Sequence, residues 1–196
     1  MSLQIYLASR SPRRSQLLAQ LGLQFKVLPA DIAERPGPGQ AAADYVLAMA
    51  RGKAQAAAAA APESLPVLGA DTEVVVDGEI LGKPASRDQA IAMLLRLSGR
   101  SHIVYSGIAL VHRGHCESGL SRTEVDFGAI DPAEAAAYWE SGEPADKAGG
   151  YAIQGLGAAF VRQIRGSYSG VMGLPLFETC TLLRRFGIAV LAPSAS

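Results

Sequence analysis

Apolar and polar positions along this chain switch between two periods, and most switches fall at a residue that starts or stops an element. Residues 3–8 (LQIYLA) are a short apolar run, the pattern of a buried strand. Ser11-Pro12 then reads as a helix start, with an N-cap followed by proline at the first helical position. Leu17, Leu18 and Leu21 recur at helical spacing, and Gly22 supplies the stop. Residues 24–29 predict a second strand, followed by a Pro/Gly loop through residue 39. Residues 40–61 predict a long Ala-rich helix ending at Pro62, since Ala is the best helix former. Residues 65–70 and 73–76 read as strands, with Asp77-Gly78 as a hairpin turn. Ser86 caps a helix over 87–98 that ends at Gly99. Residues 102–112 and 118–127 pair as a hairpin around Gly114. Asp131-Pro132 opens a helix to Glu140, stopped by Gly142. A Gly-rich loop over 142–157 precedes a strand at 158–164. A polar loop over 165–173 leads to a helix at 175–186 and a last strand at 188–191. Helices alternate with strands and hairpins, so the class is mixed α/β. No internal repeat and no linker interrupts the pattern.

Composition adds constraints. The 196 residues suit one domain, or two lobes sharing a core. Eighteen basic residues balance eighteen acidic ones, and neither half of the chain is polarised, which argues against a nucleic-acid footprint or a polybasic membrane patch. Cys116 and Cys180 have no metal-ligand spacing, and a disulfide framework is not expected, so a cytoplasmic location fits. With three histidines a His-built zinc site is hard to assemble, and the HxxH at His112 and His115 reads as solvated. No run approaches about 20 apolar residues and no leader pattern opens the chain, so no membrane span is expected. Fourteen of the eighteen cations are Arg and four are Lys, namely Lys26, Lys53, Lys83 and Lys147. A lysine kept among arginines hints at a place where a compact ammonium matters.

Six segments hold candidate chemistry. Ser9-Arg10-Ser11-Pro12-Arg13-Arg14 puts hydroxyls and three arginines at a helix N-terminus, which suits a phosphate. The plain alternative is a capped helix with solvated arginines, although cations there oppose the helix dipole. Asp71 and Glu73 follow a buried strand, where a carboxylate is costly unless paired or holding a metal; a turn-starting Asp is the other reading. Asp31 and Glu34 lie in a loop and Lys53 on the next helix, all compatible with plain solvation. Lys83 is pinned between Gly82 and Pro84. Residues 142–155 combine glycines with Lys147, Tyr151 and Gln154, as a ligand-holding loop or as a structural one. Gly166-Ser167-Tyr168-Ser169-Gly170 lacks the lysine of a P-loop and reads equally as a turn. Together, acids for Mg²⁺, cations for phosphates and a Gln-bearing loop for a base describe a phosphoanhydride site.

In this order the segments resemble the Maf-like nucleoside triphosphate pyrophosphatases, also called septum-formation inhibitors. The matching stretches are LASRSPRRSQLL (7–18), DIAE (31–34), GADTEVVVDGEILGKP (69–84), LSGRSHIVYSG (97–107), SGEPADKAGGYAIQG (141–155) and GSYSGVMGLPLFET (166–179). The KAGGYAIQG form is similar to the branch acting on dTTP and UTP. The resemblance implies one mixed α/β domain over 1–196, with an elongated twisted sheet and two lobes around a deep cleft, Maf/Ham1-like. It implies catalytic roles for Asp71, Glu34, Lys53 and Lys83, and substrate binding by Ser9, Arg13, Arg14, Thr72, Lys147 and Gln154. Arg13, Thr72 and Gln154 match positions tied to base preference. Glu34 and Asp71 would hold a divalent metal, Mg²⁺ or Mn²⁺. Two departures stand out: Ala48 where the family commonly has Arg, and Ser106 where Thr is usual.

The resemblance therefore implies a hydrolase giving monophosphate and pyrophosphate, with a nucleoside triphosphate as partner and a homodimer as assembly. Two other readings stay open: a nucleotide-binding regulator of cell division, and a house-cleaning hydrolase of modified nucleotides.

Overall fold

The structure is a computed structural model and describes residues 2–190. Among these, seven strands form one sheet in the order β2 (Phe25–Val27), β1 (Ile5–Ala8), β3 (Val67–Val76), β5 (Ser101–His112), β6 (His115–Phe127) and β7 (Val161–Arg165), with β4 (Glu79–Ile80) paired to β3 off that path. Parallel and antiparallel pairs coexist, so the mixed α/β class stands. By internal packing the chain divides into two compact units. Unit 1 takes residues up to 71, 106–121 and those from 173 onward; unit 2 takes 72–105 and 122–172.

Unit 1 begins with β1 (Ile5–Ala8), buried throughout as its apolar run requires. Helix α1 (Pro12–Ala19) follows, with Pro12 in its first turn and Leu17 and Leu18 buried. Gly22 ends this segment at φ +73°, a left-handed backbone that glycine adopts without Cβ strain. Strand β2 (Phe25–Val27) pairs parallel to β1, and helix α2 (Ala42–Ala59) crosses back to β3 (Val67–Val76). The β1–β3 pair is parallel too, with Ala8 opposite Gly69. Helix α6 (Leu176–Arg185) closes the unit.

Helix α2 lies unusually close to the sheet. A Cβ on Gly69 would collide with the Ala50 carbonyl and stand 2.8 Å from the Ala54 nitrogen; one on Gly107 would stand 2.6 Å from the Val46 carbonyl oxygen. Hydrogen atoms at 69, facing Ala50 and Ala54, and at 107, facing the backbone of Val46 and Leu47, let helix backbone touch strand backbone. Ala50, Ala54, Ala109 and Val111 form a small core cluster here. The small side chains of the Ala-rich helix thus set the depth at which it packs.

Unit 2 contains β4 (Glu79–Ile80), α3 (Arg87–Leu97), α4 (Pro132–Glu140), β7 (Val161–Arg165) and α5 (Tyr168–Met172). The turn before β4 has φ +53° at Asp77 and +79° at Gly78, matching the expected Asp-Gly hairpin. Ser86 accepts from the Gln89 N–H at 3.2 Å and caps α3. Asp131 and Glu134 form a reciprocal capping box on α4. The core joins Val74, Val76, Leu94, Leu97, Val104, Phe127, Tyr138, Tyr151 and Ile153 with others. The long strands β5 (Ser101–His112) and β6 (His115–Phe127) join through the two-residue turn Arg113-Gly114, both at positive φ, so the hairpin at Gly114 stands but β6 starts at His115 and not at residue 118.

Four further expectations need correction. Residues 67–76 are one continuous strand: Gly69 sits inside it at an extended position and no Pro removes a ladder N–H, so the strand runs on through Asp71. The loop over 142–157 contains three short 3-10 segments, at Glu143–Asp146, Ala148–Gly150 and Leu156–Phe160. The polar loop at 165–173 contains α5, capped where the Gly170 N–H meets Ser167 Oγ at 2.9 Å. Residues 188–190 form no strand, and Leu191, the last residue of that expectation, lies outside the described residues.

Candidate active site

In unit 1, β1 and β2 run parallel to the first residues of β3 and end at one edge, where β3 itself continues through Asp71. Because Ala8 lies opposite Gly69, the residues after β1 come alongside those leading to Asp71. The loop after β2 reaches the same edge, as the Arg10 guanidinium shows by forking onto Asp31 at 2.5 and 3.0 Å. That pair is exposed; its hydrogen bonds hold the Asp31 carboxyl below its ordinary range and raise Arg10. Arg10 is thus engaged with Asp31.

At this edge Lys53, from α2, stands between two carboxylates. Its Nζ lies 2.7 Å from Asp71 Oδ1 and 2.6 Å from Glu34 Oε1. Lys53 and Asp71 are 8% and 6% exposed, whereas Glu34 is about half exposed, so the cluster runs from buried to wet. Its depth follows from the glycine contact: with α2 pressed onto Gly69, a lysine one turn beyond Ala50 reaches a carboxylate two residues beyond Gly69. Asp71 Oδ2 is buried and finds no hydrogen-bond partner among the described residues. An orphaned carboxylate oxygen at such a place is costly and asks for a cation or a proton donor. Two carboxylates and one ammonium sum to one negative charge, which repels a polyphosphate unless a cation joins them. Oxygen donors of this kind suit a hard divalent cation. Among the described residues no three His, Cys, Asp or Glu side chains gather, so further ligands would come from water or substrate.

The turn after β1 is built differently from expectation. Ser11 occupies the N-cap position of α1, but its side chain forms no cap bond; Ser9 Oγ accepts from the Ser11 N–H at 3.1 Å. Arg14 donates from Nη1 to that same oxygen at 3.3 Å and from Nε to the Gly173 carbonyl at 2.8 Å. Ser9 is buried, and Arg14 ties the turn to the start of the GLPLFET segment. Arg13 lies in the first turn of α1.

Unit 2 holds the remaining candidates. Thr72 is half-buried on β3, next in sequence to Asp71. Lys83 is exposed, in a loop whose Gly82 carbonyl accepts from the Gly149 N–H at 2.8 Å. This bond joins the LGKP and KAGG segments, which sequence spacing alone did not connect. Lys147 folds back onto the Asp146 carboxylate and the Glu143 carbonyl, the latter at 3.1 Å. Gln154 is exposed at the tip of the loop, directly after buried Ile153.

Three residues without an assigned role shape this loop. Glu143 Oε1 accepts from the Tyr138 hydroxyl at 2.5 Å and the Gly157 N–H at 3.0 Å; its Oε2 accepts from the Leu156 N–H at 3.0 Å. The Tyr138 oxygen also accepts from the Ala152 N–H at 3.0 Å. Burial pushes the Glu143 carboxyl up, but the bonds from Tyr138, Gly157 and Leu156 outweigh it and hold the carboxyl below its ordinary value. Burial, then the bond to Glu143, raises the Tyr138 hydroxyl. His102 bonds the Tyr151 hydroxyl through Nε2 at 2.8 Å and sits edge-on to Phe127. Burial lowers its imidazole to about 4. The inward alternation with Val104 could have placed His102 inside; nothing in the sequence pairs Tyr138 with Glu143.

The two other histidines behave as expected of solvated groups. His112 Nε2 lies 3.2 Å from the Ser64 carbonyl and His115 Nε2 lies 3.1 Å from Glu117. Ala48 is exposed, so the missing arginine leaves no gap in the core, while Ser106 is buried on β5.

A mixed α/β protein with an acid–lysine–acid cluster where parallel strands β1 and β2 end beside β3 is the class that fold and site define. The chain belongs to the Maf-like protein family, whose model matches residues 4–186. It is 54% identical over 187 residues to the dTTP/UTP pyrophosphatase of Methylobacillus flagellatus, covering 95% of this chain and 94% of that protein. It is 51% identical over 192 residues to that of Saccharophagus degradans, covering 96% and 91%, and 52% identical over 194 residues to that of Bordetella avium, covering 95% and 96%. No helix among the described residues is long and apolar enough to cross a membrane.

Proposed function

We propose that this chain hydrolyses dTTP and UTP to the nucleoside monophosphate and pyrophosphate, by attack of water on the α-phosphorus. The observation that carries the reading is the Asp71 carboxylate, with one oxygen bound to Lys53 and the other buried and unpartnered. Relatives more than half identical over nearly the whole chain bear the name of that activity, which supports the choice of substrate.

Glu34 and Asp71 are the residues that would hold a divalent cation, Mg²⁺ or Mn²⁺. When bound, such an ion offsets phosphate charge and makes a coordinated water more acidic. Asp71 accepts the proton of the attacking water, and its ion pair with Lys53 fixes the orientation of the carboxylate. Lys53 offsets part of the negative charge that builds on the phosphate oxygens. Ser9, Arg13 and Arg14, at the same edge, bind phosphate. The bond from α-phosphorus to the bridging oxygen breaks as the water–phosphorus bond forms, and pyrophosphate leaves.

Lys83 and Lys147 are assigned to charge neutralisation and substrate binding, and Thr72 and Gln154 to base recognition, on the family resemblance. Polar groups that bond the right base are left unpaired by a wrong one, which is how such residues discriminate. A homodimer and a cytoplasmic location complete the reading; sedimentation of the purified chain tests the first. The decisive experiment is a panel of nucleoside triphosphates with Mg²⁺, scoring products. Monophosphate and pyrophosphate from dTTP and UTP are expected. Release of orthophosphate, or stoichiometric binding without turnover, would overturn the assignment.

A further inference from the structure

We infer that Glu143 and Tyr138 are positioning residues for substrate choice, acting through the backbone on either side of Gln154. The inference rests on the proposed role of Gln154 in reading the base.

Gln154 is exposed at a tip and could sample many orientations, so its value as a reader depends on how firmly its backbone is held. The fixing bonds flank it. On one side Tyr138 accepts from the Ala152 N–H; on the other, the Glu143 carboxylate takes the N–H groups of Leu156 and Gly157. The Tyr138–Glu143 bond joins the two sides into one clamp. The tip itself closes by a bond from the Gly155 N–H to the Ala152 carbonyl at 3.2 Å. Two glycines show how tightly the clamp fits. A Cβ on Gly155 would run into the Glu143 carboxylate, and one on Gly157 would stand 2.6 Å from the Tyr138 hydroxyl oxygen.

The chemistry requires an ionised acid. Glu143 receives three donors on two oxygens, a load only an acceptor-only carboxylate meets in full. Glutamine at this position offers one acceptor, and its NH₂ would confront an N–H group. The change keeps size and shape while reversing one bond, so it separates hydrogen bonding from packing.

The test is kcat/KM for dTTP relative to dCTP in wild type, Gln154→Ala, Glu143→Gln and the double variant. Each single change should lower the ratio roughly tenfold, the worth of about one good hydrogen bond. The double variant should fall no further than Gln154→Ala alone, because both act on one device. Amide exchange at Leu156 and Gly157 should quicken in Glu143→Gln, a readout independent of turnover. If Glu143→Gln proves too unstable to assay, Tyr138→Phe takes its place with the same expectation. A wild-type ratio in Glu143→Gln while Gln154→Ala loses selectivity, or additive losses in the double variant, overturns the clamp. An unchanged ratio in Gln154→Ala overturns it at its root, through failure of the base-reading role.

Discussion

The polar clusters of the two units solve opposite problems. In unit 1, Lys53, Asp71 and Glu34 come from a helix, a strand and a loop, and their charges answer one another. In unit 2, Glu143 and Tyr138 are five residues apart and answer mainly the backbone N–H groups of a nearby loop. The first cluster leaves a carboxylate oxygen buried without a partner among the described residues; the second occupies both oxygens of its carboxylate. A site of reaction keeps a group in want of a partner, whereas a scaffold spends its bonds on holding shape. Under the proposed function, the unpartnered oxygen suits Asp71 as a reacting group, and saturation suits Glu143 as a brace.

Substituting Asp71 should break the contrast most sharply. Asp71→Asn preserves shape but removes the proposed proton acceptor and the anion facing Lys53, so pyrophosphate release should fall about 10³-fold while the fold persists. Single-turnover kinetics with circular dichroism checks both halves of that outcome. Lys53→Met should follow, since it strands Asp71 as a buried charge; breaking such a pair costs about 3–5 kcal/mol, visible as an early urea midpoint. Next comes acid sensitivity in unit 2. The His102 imidazole falls from its ordinary 6.5 to about 4 on burial, so the unfolded chain takes up its proton first as pH drops. The contribution is complete above about pH 6.5 and is lost as pH falls toward 4, amounting to about 3 kcal/mol. Melting temperature measured between pH 7 and 4 should fall less steeply in His102→Gln than in wild type. Arg10→Ala should have the smallest effect on stability. Its pair with Asp31 is exposed and screened, so the melting temperature should stay within error of wild type, and added salt should not alter that result.

Several parts of this architecture were legible in the sequence because the relevant physics is local. Ser86, the Asp131-Pro132 helix start, the Asp77-Gly78 turn and the turn at Gly114 each declare themselves within a few residues. The acids and lysines of the site were visible as residue types in a matching order, yet their pairing was not. Lys53 meets Asp71 across 18 residues only because α2 sinks onto Gly69, and backbone proximity of that sort leaves no periodic trace. The Ser9 bond to the Ser11 N–H is hidden for the opposite reason: Ser11-Pro12 is itself a complete local helix-start signal, and a hydroxyl two residues earlier adds nothing visible to it. Tyr138 and Glu143 stayed silent because their partners are main-chain groups, which look the same in every sequence.

The glycine under α2 also bears on how this protein could be re-engineered. Any side chain at position 69 would wedge helix from strand and draw Lys53 away from Asp71, so libraries that vary this position would return mostly inactive clones. Gln154, by contrast, faces outward from a braced tip and can be exchanged without disturbing what lies beneath it. Under the proposed roles, evolution in the laboratory would thus find new preferences at Gln154 long before it found new chemistry at Asp71.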